Sequence, residues 1–269
     1  MFYSVHESQR AELTKAGWDS LDVGTEMVVN PNEWQTRGKK WQDVRTAINK
    51  AKRDGITDVL TTFKEAPFSV QTQIREISAQ WAGKKALPEM GFTLGGVDEL
   101  IDSRVRLLYA VDGNGKVLGV TSWLPTYRDG TIIGWTLDFM RHRTDSVNGI
   151  MEFLIARMAE RLRDEGNVEF MSLSAAPLAG MGSNKGEHEE SEVLRHALQM
   201  VADIMEPAYG FHSLFRFKLK FHPDEEKVYI CYPDAAKLPQ ISLAVAQAYV
   251  PSLTPAEAMR FVRTIAPRD

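Results

Sequence analysis

The chain has 269 residues, 43% of them hydrophobic and 25% charged, with a formal net charge of −4, which suits one large buried core or two smaller ones packed together. No window approaches the roughly eighteen uninterrupted apolar residues of a membrane span. The start Met1-Phe2-Tyr3-Ser4-Val5-His6-Glu7 lacks a basic-then-apolar signal pattern, so neither a span nor export is expected. The only cysteine, Cys231, excludes an internal disulfide. Its apolar neighbours Val228, Tyr229, Ile230 and Tyr232 predict a buried, inert thiol in a reducing compartment.

The charge is unevenly spread. Arg37, Lys39, Lys40, Arg45, Lys50, Lys52 and Arg53 face a single acid, Asp43, whereas acids gather at Asp224, Glu225 and Glu226 and at Glu187, Glu189, Glu190 and Glu192. A local basic face can hold phosphates on a globally acidic protein. Residues 39–54 read as a helix ended by Gly55, with Trp41, Val44, Ile48 and Ala51 on one face. Its basic positions are either a solvated surface or a phosphate-binding one. A strand over 57–63 and a helix over 69–81 follow. Gly83 and Pro88, with Gly95-Gly96, suggest a connection between an N-terminal half, 1–90, and a C-terminal half, 91–269.

In the second half, strands over 105–111 and 116–123 flank Asp112-Gly113-Asn114-Gly115, a hairpin signal. A third strand, 131–138, enters after the turn at 127–130. It ends in Asp138-Phe139-Met140-Arg141-His142-Arg143, one carboxylate and two guanidinium groups, just ahead of a helix over 149–165 that Asn148 or Ser146 caps and Gly166 ends. Charged groups and helix amides thus converge, as in sites that handle anions or acyl groups. A strand over 168–174, a polar loop and a helix over 191–205 come next. A second hairpin pairs 214–221 with 227–232, which would put Lys218 and Lys220 on one strand face, for phosphate contact or as a solvated surface. The run Pro239 to Pro251 is either a membrane-facing amphipathic helix or one packed on its own domain, and Thr254-Pro255-Ala256-Glu257 starts a last helix over 255–265.

The order β-β-β-loop-helix-β-helix-β-β resembles that of GNAT-like acyltransferases. Those that use coenzyme A follow the third strand with a glycine-spaced loop for the pyrophosphate. Here the stretch reads Arg141-His142-Arg143-Thr144-Asp145-Ser146-Val147-Asn148-Gly149, so acyl-CoA is a poor donor.

Four ordered motifs are more specific. Gly38-Lys39-Lys40-Trp41 through Gly55, Asp138-Phe139-Met140-Arg141 with Asn148-Gly149-Ile150-Met151-Glu152, Leu173-Ser174-Ala175-Ala176-Pro177, and Phe215-Arg216-Phe217-Lys218-Leu219-Lys220-Phe221 resemble the C-terminal domain of the multiple peptide resistance factor family, the bacterial aminoacyl-phosphatidylglycerol synthases. The resemblance runs from about Gly24 to Tyr232. It implies an α+β, tandem GNAT-like fold of mixed, mainly antiparallel sheets flanked by helices. The implied activity moves an aminoacyl group, alanyl or lysyl, from aminoacyl-tRNA to the hydroxyl of phosphatidylglycerol or a related glycerolipid. The reaction would run on the cytoplasmic face of the bacterial cell membrane, lowering its negative charge and its sensitivity to cationic peptides. The family usually carries a membrane-embedded N-terminal domain, which is not expected within this sequence; the resemblance then implies either an excised catalytic domain or a naturally soluble relative.

A tRNA aminoacyl ester is already activated, so attack by a glycerol hydroxyl needs positioning, proton transfer and oxyanion stabilisation; no cofactor and no metal is called for. Asp138 becomes the centre, as general base or as anchor for the α-ammonium, with a strand-end salt bridge to Arg141 as the plain alternative. Arg141, and less so Arg143, would hold a lipid or tRNA phosphate. Glu152 binds the ammonium, pairs with Arg141 or Arg143, or merely suits the helix dipole. Ser174, Lys218 and Lys220 complete the substrate site, and Lys39, Lys40, Arg45, Lys52 and Arg53 the tRNA site. His142 and His222 are proton carriers or surface residues. His188 and His196 make no metal pair, and Trp123, Trp135 and Phe139 are core residues unless an acyl tunnel recruits them. The rival readings are a Fem-type or GNAT-type transferase with a soluble acceptor, and a non-catalytic tRNA- or membrane-binding module.

Overall fold

The computed structural model describes residues 1–83, 95–177 and 210–249. The helix expected over 191–205 and the last helix, 255–265, lie outside them. The strands are β1 (Phe2–Val5), β2 (Asp19–Val29), β3 (Thr57–Thr61), β4 (Arg106–Val111), β5 (Val117–Arg128), β6 (Thr131–His142), β7 (Phe170–Pro177) and β8 (Asp224–Tyr232). The helices are α1 (Glu7–Lys15), α2 (Gln42–Arg53), α3 (Phe68–Ala82), α4 (Ile150–Glu165), α5 (Phe211–Leu219) and α6 (Leu238–Tyr249).

All eight strands form one mixed sheet in the order β1-β8-β2-β7-β6-β5-β4-β3. Every pair is antiparallel except β6 with β7. Residues 1–90 therefore supply strands near both edges. The β5–β6 turn closes through Asp129 (φ 49°) and Gly130 (φ 78°), the pair of positive φ angles that a two-residue hairpin of matching twist requires. Gly149 (φ 92°), rather than Asn148 or Ser146, stands at the N-cap of α4 with no side-chain cap, and Gly166 (φ 64°) ends the helix as expected.

Each sheet face carries its own core. On one, Trp41, Val44 and Ala51 of the basic-helix segment pack with Ile150, Leu154, Met158 and Leu162 of α4 over Leu108, Trp123, Trp135 and Leu137. On the other, Val70, Ile74 and Ile77 of α3 cover Leu107, Tyr109, Val117, Val120 and Phe139. Full burial of a side chain such as Leu154 or Ile74 contributes about 2 kcal/mol. Asp58 of β3, itself buried, ties the first face together by accepting from Arg157 at 2.7 Å and Arg161 at 2.6 Å, both on α4.

Residues 214–221 are not a strand, so no hairpin pairs them with β8. Their apolar and charged residues alternate, but tertiary packing overrides that period. Gly210 in the left-handed region (φ 62°) starts α5, and Phe217 and Phe221 stack edge to face at 5.5 Å against the α4-side core. The run from Pro239 packs on its own domain, with Leu238, Ser242 and Val245 of α6 buried at helical spacing. Cys231 is buried, as expected.

Candidate active site

A β-bulge in β6 builds the site. Trp123 pairs with Leu137 and Thr121 with Met140, so Asp138 and Phe139 together oppose Ser122. Ser122 Oγ accepts the Phe139 N–H at 3.1 Å. Before the bulge Trp135 and Leu137 face α4; after it Met140 does, while Phe139 joins the α3-side core. The extra residue flips the alternation, which brings Asp138 and Arg141 onto the α3 face although they are three apart in sequence.

Asp138 is mostly buried. Its carboxyl is raised above the ordinary carboxylate range by burial first and then by nearby Glu99, against the opposing pull of Arg141 and a hydrogen bond from the Gly95 backbone N–H. Oδ2 finds no hydrogen-bond partner among the described residues. Gly95 runs so close that a Cβ there would fall onto Oδ2, and Gly96 N–H donates to Glu99 Oε2 at 2.7 Å. The Arg141 guanidinium lies 3.4 Å from the Trp81 ring centroid and 4.8 Å from that of Phe139, and Nη1 donates to the Met140 carbonyl at 2.9 Å. Stacking holds the planar cation flat and buried beside the carboxylate.

The sheet opens next to this pair. β6 and β7 are in register for Gly134↔Phe170, Trp135↔Met171 and Thr136↔Ser172. Beyond that, Ser174 takes a left-handed conformation (φ 68°), unusual for a residue with a Cβ. Its Oγ donates to the Leu137 carbonyl at 2.7 Å, bridging the mouth of the gap one residue before Asp138.

Lys218, in the last turn of α5, and Lys220, the residue that caps its end, diverge, because residues two apart on a helical turn do not share a face. Lys218, 3% exposed, donates to the Ser174 and Ala175 carbonyls, each at 3.1 Å. Lys220 pairs with Glu152 at 2.7 Å. Glu152 thus pairs with Lys220, just past the end of α5, and not with Arg141 or Arg143, one of the alternatives the sequence left open. Arg143, largely covered, contacts Asp145 at 3.3 Å. On the basic segment Lys39, Lys40, Lys52 and Arg53 are exposed. Arg45 instead donates to the Thr36 and Gly38 carbonyls at 2.8 and 2.9 Å and holds the turn that precedes the helix. His222 Nε2 meets the Lys40 carbonyl at 2.9 Å, linking this segment to the end of α5. His142 Nδ1 is engaged with the Arg143 carbonyl at 2.8 Å.

Ala47 of α2 sits against Gly149, 3.0 Å from where a Cβ there would lie. The start of α4, where the coenzyme A pattern would seat a pyrophosphate, is therefore covered by the basic helix. No cluster of three or more metal-ligating side chains occurs among the described residues, and none of their helices is long and apolar enough to cross a membrane. Sequence reasoning missed Trp81, Gly95, Glu99, Glu26 and Ser172. Gly95-Gly96 was its one signal, read as a connection rather than as a close approach to a carboxylate.

A family model described as phosphatidylglycerol lysyltransferase, C-terminal, matches residues 1–232. The chain belongs to that family. An uncharacterized protein of Corynebacterium glutamicum is 41% identical over 249 residues, covering 93% of this chain and 31% of that protein. The phosphatidylglycerol lysyltransferase of Bacillus subtilis is 28% identical over 238 residues, 86% of this chain and 26% of the enzyme. The chain thus spans about a fifth to a third of the length of these and other curated relatives it matches. Among solved structures, L-PGS from Bacillus licheniformis superposes with a TM-score of 0.72 at 24% identity, covering 92% of this chain and 72% of that one. The C-terminal domain of a putative lysylphosphatidylglycerol synthetase from Agrobacterium fabrum gives the same score and identity, covering 92% and 71%. At that identity the likeness speaks for the fold.

Proposed function

We propose that this chain carries the transfer site of an aminoacyl-tRNA-dependent lipid aminoacyltransferase, moving an alanyl or lysyl group to the hydroxyl of phosphatidylglycerol or a related glycerolipid at a membrane surface. The observation that carries the reading is Asp138, a mostly buried carboxyl with a raised proton affinity and one oxygen without a hydrogen-bond partner among the described residues, set beside a stacked arginine. Membership of the lysyltransferase family supports the reaction class.

In this reaction the acceptor oxygen attacks the ester carbonyl carbon while its proton passes to Asp138 Oδ2. The tetrahedral intermediate then expels the terminal ribose oxygen of the tRNA, which takes the proton back. A carboxyl raised toward neutrality accepts a proton in the transition state better than an ordinary aspartate does, which favours the base role over an ammonium anchor. Arg141 would hold the lipid or terminal tRNA phosphate, with Arg143 as a weaker second contact. Exposed Lys39, Lys40, Lys52 and Arg53 lie on the α4 side of the sheet and Asp138 on the α3 side. Donor and acceptor would then approach from opposite faces and meet in the β6–β7 gap. Ser174 and Lys218 border that gap, the Lys220–Glu152 pair would serve substrate from the α4 side, and Arg45 shapes the tRNA-binding segment rather than meeting phosphate first.

The test is transfer of radiolabel from separately charged alanyl-, lysyl- and arginyl-tRNA into a chloroform-soluble product, with phosphatidylglycerol or diacylglycerol vesicles. Label in the lipid phase from one donor and one acceptor, lost in Asp138→Asn, is the expected result. Label that reaches only a water-soluble acceptor, or none from any donor, contradicts the reading.

A further inference from the structure

Behind the site runs a chain of polar contacts that the transfer reaction does not itself require. His6 Nε2 meets Glu26 Oε2 at 3.0 Å, and His6 Nδ1 lies 3.6 Å from Glu226 Oε2. Ser172 Oγ donates to Glu26 Oε1, and Ser172 Oγ in turn accepts the Ser174 N–H at 2.9 Å. Glu26 is the β2 partner of Ala175, and Ala175 is one of the two carbonyl groups that receive the Lys218 ammonium.

We infer that Glu26, steadied by His6 and Ser172, is a positioning residue whose carboxylate keeps Lys218 an ammonium and holds the Ser172–Ser174 bend on which that ammonium sits. The inference deepens the proposed function, since Lys218 borders the same gap, but its test does not need turnover. An isolated buried ammonium is strongly disfavoured, and carbonyl dipoles offset only part of that cost. Burial pushes Lys218 down to about 8, and Glu26 is the group that opposes the fall. Glu26 stays ionised although burial works against it, because the hydrogen bonds from His6 and Ser172 outweigh burial and leave it below its ordinary value. The groups around the ammonium are the Ser174 and Ala175 carbonyls of β7 and Glu26 of β2; behind Glu26 stand His6, from the turn before α1, and Glu226 of β8. Lys220, on the same stretch, is engaged with Glu152 of α4.

The bend matters as well as the charge. Ser172 is the last β7 residue paired with β6. By drawing in the Ser174 N–H it turns the chain into the left-handed conformation from which Ser174 Oγ reaches the Leu137 carbonyl. One carboxylate thereby fixes both the edge of the gap and the cation behind it.

The experiment is a pH titration of the full chain labelled with 13Cε-lysine, followed by NMR without tRNA or lipid, with the Lys218 resonance identified by its loss in Lys218→Arg. In Glu26→Gln the Lys218 midpoint is expected about one pH unit lower, a tenfold loss of proton affinity. Glu26→Asp, which keeps the charge on a shorter arm, gives a smaller fall and serves if the glutamine variant does not fold. Transfer by Glu26→Gln should lose its alkaline limb at correspondingly lower pH, which a purely structural role would not produce. A Lys218 midpoint unchanged in a folded Glu26 variant overturns the inference. A moved midpoint with an unmoved transfer profile upholds the counter-charge role and removes Lys218 from the reaction, so the two readings fail separately.

Discussion

The two faces of the sheet handle buried charge in opposite ways. On the α4 face Asp58 receives two arginines and Glu152 receives Lys220. On the α3 face Asp138 keeps one oxygen without a hydrogen-bond partner among the described residues and sits next to a second acid, Glu99, that raises it further. Satisfied acids hold elements together; an acid left raised and short of a hydrogen-bond partner has a stability cost that chemistry can justify.

Variants on the two faces should therefore separate stability from turnover. The largest effect is expected from Gly95→Ala, whose added methyl would strike Asp138 Oδ2. Transfer should fall by about 100-fold or more, the scale of a lost general base, while the urea midpoint stays near that of the unmodified chain. A folded Gly95→Ala protein with full activity would break the contrast. The reverse pattern belongs to Asp58→Asn. It removes the negative charge and turns one of the two oxygens that accept from Arg157 and Arg161 into a donor amide facing a guanidinium, and since both arginines are partly exposed the loss should be about 2 kcal/mol, seen in urea unfolding with per-molecule transfer retained.

Trp81→Leu tests the stacking of Arg141. Cation–π contact in a desolvated setting is worth about 1 to 2 kcal/mol, so transfer should fall by about tenfold, with the loss in kcat/KM and little in the urea midpoint. His6→Gln sharpens the comparison at its smallest scale. The hydrogen bond to Glu26, opposed by burial, raises the His6 pKa above 6.5. A raised histidine stabilises most below its unfolded value and loses that contribution as pH rises through the folded value. The variant should therefore be less stable than the unmodified chain near pH 6, and the gap should close toward pH 8.

Much of this arrangement is legible in the sequence where a pattern is local. The basic helix, the hairpin around Asp112-Gly113-Asn114-Gly115 and the end of α4 at Gly166 are set by neighbours in the chain, and the structure has each of them. The early strand β2 carries its own signal in buried Leu21, Val23, Met27 and Val29, but it becomes a strand at the centre of the sheet only by pairing with β7 and β8, both far along the chain. The motif around Asp138 and Arg141 is a local run of sequence, yet the bulge that puts the two on one face depends on Ser122 across the sheet. In α5 the strict alternation points to the wrong structure, because Phe217 and Phe221 gain more by packing on the core than the backbone gains from a strand pairing.

The most direct test of the central claim is the single-turnover rate of aminoacyl transfer to phosphatidylglycerol vesicles across pH 4 to 8, for the unmodified chain and Asp138→Asn. With Asp138 as base, the rate should rise with pH through a midpoint above 3.8, the ordinary aspartate value, and this limb should vanish in a variant slower by about 100-fold or more. A folded Asp138→Asn protein that transfers at the unmodified rate, with the same pH limb, would contradict the account.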